Sequence, residues 1–210
     1  MPRDPITVAA LFVDPRGPYF NIPFVDCWPE TRDARLYAGP YPVIAHPPCG
    51  RWCRLAKFVE YQTEGRLAVG DDHGCFASAL ASVRKWSGVL EHPAWSLAWA
   101  AHGLIAPPAR GWQRNTDGDW CCEVAQSAYG HQARKLTWLY YVGLSAPACL
   151  DWTQPSGSKV ISGMRNHCAR PLTERLWTAA DWRRAGGGAT IRTPDAFAEM
   201  LVALARGTAA

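Results

Sequence analysis

Short apolar runs, each broken by prolines or glycines, set the pattern of this chain. Ile6-Thr-Val-Ala-Ala-Leu-Phe-Val13 closes at Asp14 and Pro15-Arg-Gly-Pro18, which predicts a buried strand followed by a loop. Residues 19–41 carry neither a strand nor a helix period and read as irregular. Tyr41-Pro-Val-Ile-Ala45 predicts a second strand running into His46-Pro-Pro-Cys-Gly50, where paired prolines must end it. Over Cys75–Trp86, Phe76, Leu80 and Val83 fall at helical spacing, and Gly88 follows as a stop. Val89-Leu90 is a brief strand leaving at Glu91-His-Pro93. Residues 103–119 read as a long connection. Trp120–Gln126 and Lys135–Val142 then predict two strands around the turn at Tyr129-Gly-His131.

From Thr193 to Ala205 the pattern predicts a closing helix, with Thr193 as N-cap, Pro194 in the first position and Phe197, Leu201 and Leu204 as one apolar stripe. Strands alternating with helices predict an α/β sheet, in which ligands sit outside the carboxyl ends of the strands. The chain divides into an α/β core over residues 1–152, a basic, loop-rich region over 153–192 and the closing helix over 193–206.

Composition narrows the classes. With 48% hydrophobic and 19% charged residues in 210, the bulk of the chain can bury a core and is not a disordered polymer. No apolar run approaches a bilayer's width, and Met1-Pro-Arg-Asp-Pro is unlike a secretory leader, so a soluble cytoplasmic protein without a membrane partner is expected. The net charge of +4 arises wholly after residue 152, where eight Lys/Arg face four Asp/Glu, which leans toward a polyanionic partner. In such a chain the eight cysteines read as core residues, metal ligands or a nucleophile, and the eleven tryptophans as core or as stacking surfaces for bases.

Three stretches carry candidate chemistry. In His46-Pro-Pro-Cys-Gly-Arg-Trp-Cys53 a strand delivers Cys49 into a stiff loop, and Arg51 and Arg54 would favour its thiolate. A structural half-buried cysteine in a tight turn is the alternative. Glu91 ends a buried strand before Pro93, where desolvation would raise its pKa and make it a proton donor near neutrality; capping the following segment or pairing with an arginine is the alternative. Gln126–Trp138 sets His131, Arg134 and Lys135 beside aromatics, as suits a flat ligand carrying phosphate, or simply a solvated strand face.

In this order the three stretches resemble the DNA cytosine-5 methyltransferase family, in particular its small phage-type members. Pro47-Pro48-Cys49 matches the family's Pro-Pro-Cys loop, Glu91 its Glu-Asn-Val strand end, and Gln132-Ala-Arg-Lys135 part of its Gln-x-Arg-x-Arg strand. The resemblance implies a reduced Rossmann-like sheet with helices on both faces and a C-terminal helix packing back on the catalytic half. It implies that Cys49 adds to C6 of a pyrimidine, cytosine first, that Glu91 holds or protonates N3, and that Arg134 orients both. The base would be flipped out of DNA or taken from a single strand. His46, Pro48, Arg51, Trp52, His92, His131 and Lys135 are then candidate substrate contacts. Asp14, Pro15, Arg16, Gly17 and Pro47 form the candidate cofactor edge. The family's Phe-x-Gly-x-Gly loop for S-adenosylmethionine is here Phe12-Val-Asp-Pro-Arg-Gly17, with one glycine. The one-carbon donor is therefore S-adenosylmethionine or another such as methylene-tetrahydrofolate.

Other classes compete. A zinc or iron–sulfur protein would use His46, Cys49, Cys53 and Cys75. A catalytically inactive DNA-binding protein would keep the fold without the chemistry. The same cysteine and glutamate chemistry on a free pyrimidine nucleotide is a third possibility.

Overall fold

The computed structural model describes residues 6–53, 56–115, 117–143, 146–157, 159–160, 175–176 and 192–207. The basic region expected over 153–192 lies largely outside them, as do Arg54 and Cys168.

The fold is a mixed α/β arrangement around a seven-stranded sheet. In chain order the strands are β1 (Val8–Leu11), β2 (Val25–Trp28), β3 (Val43–Ala45), β4 (Gly88–Pro93), β5 (Gln113–Arg114), β6 (Trp120–Ala125) and β7 (Leu136–Val142), and in space they run β2-β1-β3-β4-β7-β6-β5. The pairings β1 with β2, β1 with β3 and β3 with β4 are parallel; β4 with β7, β7 with β6 and β6 with β5 are antiparallel. β6 therefore points the same way as β4. The carboxyl ends of β1, β3, β4 and β6 share one edge, and β7 begins there.

β1 and β3 are apolar at every position because both of their faces are covered. On one side, helix α2 (Cys75–Trp86) packs Phe76, Leu80 and Val83 against Leu11, Val43, Leu90 and Tyr140. The short helices α1 (Ala56–Gln62) and α3 (Leu97–Ala101) complete the connections around β4. On the other side, α4 (Asp195–Arg206) packs Phe197, Leu201 and Leu204 against Val8, Ile44, Val89 and Leu139. Each such side chain contributes about 1.5–3 kcal/mol on burial. The stripe expected for this closing helix is the one it buries, but its N-cap is Pro194, not Thr193. At its far end the Arg206 guanidinium donates to the carbonyls of Ile6 and Pro23, both at 2.8 Å, pinning the helix to the starts of β1 and β2.

Strand β2 departs from the irregular stretch expected over 19–41. It is an edge strand, half-buried at all four positions, so its sequence Val-Asp-Cys-Trp lacks the alternation that would reveal it. Between β1 and β2 the chain makes only a turn and the 3-10 helix Pro18–Asn21. Among the described residues no helix is long and apolar enough to cross a membrane.

Candidate active site

His46, Glu91 and Gln126 meet at the shared carboxyl edge, on the face that α4 covers. β3 ends by donating the His46 backbone N–H to the Leu11 carbonyl at 3.1 Å, so the chain leaves the sheet beside the end of β1. Pro47 is buried and Pro48 exposed. The Cys49 carbonyl then accepts from the N–H groups of Trp52 (3.0 Å) and Cys53 (2.9 Å), one helical turn that fixes the cysteine in a rigid loop. From β4, Glu91 points to the same face as Val89. From the end of β6 comes Gln126, and from the loop before β7 comes Lys135, with a positive φ of 27°, a strained backbone of the kind that clusters at functional sites.

Glu91 is clamped from two sides. His46 Nδ1 lies 2.9 Å from Oε2, and Gln126 Nε2 donates to Oε1 at 3.0 Å while also donating to Thr137 Oγ1 at 3.0 Å. On the far side of the imidazole, Tyr19 Oη lies 2.7 Å from His46 Nε2. Burial pushes the Glu91 carboxyl up, but the His46 hydrogen bond and the charge of Lys135 outweigh it and bring its pKa down to about 2. The expectation of a raised, proton-donating Glu91 is thus reversed: desolvation is present, and its partners overcome it. Cys49 lies close enough to Glu91 and Lys135 for both charges to act on its thiol. Burial and the Glu91 charge raise its pKa, and Lys135 opposes them. At neutral pH the free site therefore holds a thiol and a carboxylate. Burial draws the Lys135 pKa down against the pull of Glu91 and Cys49.

Several expected contacts stand elsewhere. The Arg51 guanidinium donates to the Leu67 carbonyl at 3.0 Å, away from the thiol, whose nearby cation is Lys135 instead. Trp52 is a core residue, its indole N–H donating to buried Asp72 at 2.7 Å and its ring against Phe76. His92 points to the face opposite Glu91, as strand alternation requires, and is fully buried between Phe76 and Trp99. Arg134 is not among the clamps of Glu91; its Nε is buried without a hydrogen-bond partner. His131 Nδ1 lies within 2.9 Å of the Ala133 backbone and holds the turn before β7. His46, expected to touch substrate, has both ring nitrogens engaged within the protein. Tyr19, Gln126 and Thr137 were not singled out from the sequence; the Gln126 that opens the third stretch was the one available hint.

In an open α/β sheet the ligand crevice lies where the strand order reverses, here between β1 and β3. The Tyr19–His46 hydrogen bond bridges that crevice. Asp14 is exposed and occupied by its own turn: its carboxylate accepts from the Arg16 backbone N–H at 2.9 Å, while the Gly17 N–H donates to the Asp14 carbonyl at 2.7 Å. Pro15 and Arg16 are likewise exposed. With no glycine pair and only the one-turn 3-10 helix Pro18–Asn21 behind β1, the expected cofactor edge does not fit S-adenosylmethionine in that crevice. Nor do the metal candidates converge: among the described residues no three His, Cys, Asp or Glu side chains form a metal-binding group, and Cys53 Sγ turns to the Gly50 carbonyl.

His92 carries a consequence for acid stability. Its ring makes no well-formed hydrogen bond, the Pro48 carbonyl lying near without completing one, and burial lowers its pKa from 6.5 to about 4. A folded-state pKa below the unfolded value means the contribution is complete above pH 6.5 and is lost as pH falls toward 4. The loss is about 3 kcal/mol at its end. Thermal melts of the protein should fall across that window, ahead of the Glu91 loss between pH 4.5 and about 2. His92→Phe should flatten the upper part of the curve; an unchanged pH dependence in that variant refutes the assignment.

Comparison with protein-family models, curated proteins and solved structures finds no match to this chain.

Proposed function

We propose that the protein acts on a pyrimidine base, cytosine first and in DNA, by covalent addition of Cys49 Sγ to C6 while Glu91 holds the N3 edge. The observation that carries this reading is the gathering of Cys49, Glu91 and Lys135 at one edge of the sheet, with the carboxylate clamped by His46 and Gln126. Helices on both faces, with Cys49 following β3 and Glu91 near the carboxyl end of β4, also support the reading, although the β5–β7 half of the sheet is antiparallel.

The resting protonation states balance the addition step. Cys49 starts with its proton and Glu91 without one. As the S–C6 bond forms, the C5=C6 electron pair shifts toward N3, and the proton leaving the thiol ends on N3 beside Glu91. Lys135 stabilises the sulfur while it is anionic. The adduct has an electron-rich C5, which takes up an electrophile; the C5 proton then passes to water, its bonding pair re-forms C5=C6 as the sulfur leaves with the C–S pair, and the N3 proton returns to the thiolate. The bridged crevice argues against S-adenosylmethionine in its expected place, so a group transfer would draw on a one-carbon donor of another class, such as a methylene folate. The same bridge favours, as the second reading, a protein that binds bases without transferring a group.

Hydrogen exchange at C5 separates the two because it needs no donor. In deuterated buffer, a cytosine-containing oligonucleotide should acquire deuterium at C5, followed by loss of the H5 proton resonance. Cytidine monophosphate run in parallel decides between DNA and free nucleotide. No exchange into any pyrimidine overturns the covalent reading and leaves the binding protein.

A further inference from the structure

We infer that His46 and Tyr19 are positioning residues, a hydroxyl–imidazole–carboxylate relay that fixes and orients Glu91 from within the crevice between β1 and β3. In its consequences for rate this role rests on the base-directed reading above; in its consequences for Glu91 itself it does not.

Both nitrogens of His46 are committed, Nδ1 to Glu91 at 2.9 Å and Nε2 to Tyr19 at 2.7 Å, so the ring has no donor or acceptor left for a ligand. One tautomer satisfies all three groups: hydrogen on Nδ1 donated to the carboxylate, and Nε2 accepting from the phenol. The relay is built into the fold at both ends. Tyr19 is 2% exposed and sits in the same core cluster as Phe197 and Leu201 of α4, while His46 is tied by its backbone to the end of β1. Burial raises the Tyr19 pKa well above its ordinary value, with the Glu91 charge adding to it, so the phenol keeps its proton and stays a donor.

The remaining groups that act on Glu91 are Lys135 from the loop before β7, Gln126 from the end of β6, and His92 next to it on β4. None of these replaces the hydrogen bond to Oε2. Without it, burial should prevail, and the carboxyl would take up a proton at a higher pH.

The test compares the wild type with His46→Ala, His46→Asn and Tyr19→Phe. Asn can present an N–H close to the position of Nδ1, so it keeps the donor while losing the link to Tyr19. Carbon-13 labelling of the glutamate carboxyls follows Glu91 directly by NMR. Its midpoint should rise in His46→Ala, return most of the way in His46→Asn, and rise slightly in Tyr19→Phe. The C5 exchange rate should fall about a hundredfold in His46→Ala and recover to within about tenfold in His46→Asn. The acidic limb of the rate profile should move upward with the NMR midpoint. An unmoved Glu91 midpoint in a folded His46→Ala protein overturns the relay, as does a His46→Asn protein that resembles His46→Ala. If the wild type shows no exchange, the base-directed reading fails, while the carboxyl titration still decides the relay.

Discussion

Cys49→Ala is expected to abolish C5 exchange, a loss of at least about a thousandfold, because it removes the thiol that adds to C6. The fold should survive. Cys49 is only half-buried, and removing one sulfur from a loop costs about 1 kcal/mol or less. Cys49→Ser should be just as inactive, since a hydroxyl is a far weaker nucleophile than a thiol and Lys135 cannot compensate. The companion Glu91→Gln keeps the shape of the clamp but removes the negative charge that stabilises the proton N3 gains on addition, and should also fall by orders of magnitude. Exchange rates of these variants, read beside melting curves, separate loss of chemistry from loss of structure. A Cys49→Ala protein that still exchanges would remove the nucleophile from the proposal.

The second large effect concerns stability. Gly88 opens β4 with φ +117°, a conformation that L side chains rarely adopt, and a Cβ there would stand 1.9 Å from the Val43 carbonyl oxygen. That oxygen belongs to the backbone of β3, the strand β4 pairs with in the middle of the sheet. It cannot move without opening the register that brings His46 and Glu91 together. Gly88→Ala should therefore cost about 4 kcal/mol or more, combining positive-φ strain with a backbone clash. Denaturant melts test this, and a loss under about 1 kcal/mol would show that the β3–β4 contact yields easily. Activity should fall with the folded fraction.

Gly88 also illustrates what the sequence could and could not convey. After Trp86 it reads as a helix stop, and it does follow α2, but its close approach to Val43 depends on a strand far back in the chain. The runs that form β1, β3, α2 and α4 were legible because each is buried in a way its own residues reveal: continuous apolar positions for the parallel strands, one stripe for each helix. β2 was not, since an edge strand half-buried at every position leaves no periodic trace. Cys49 and Glu91 stood out because prolines follow or precede them at strand ends. The charge state of Glu91 did not, because it is decided by His46, Gln126 and Lys135, which the sheet order brings in from three other segments. Tyr19 was hidden for the same reason, in a stretch without a period, its role fixed by one hydrogen bond to a residue 27 positions later.

Helix α4 closes over the face on which Glu91, His46 and Gln126 meet, with Tyr129, which ends the 3-10 turn begun by Gln126, edge-on to Phe197. A ribosome must therefore translate past Leu204 before that face has its cover, although every reactive side chain emerged far earlier. The segments that carry Cys49 and Glu91 are thus made long before the helix that covers that face.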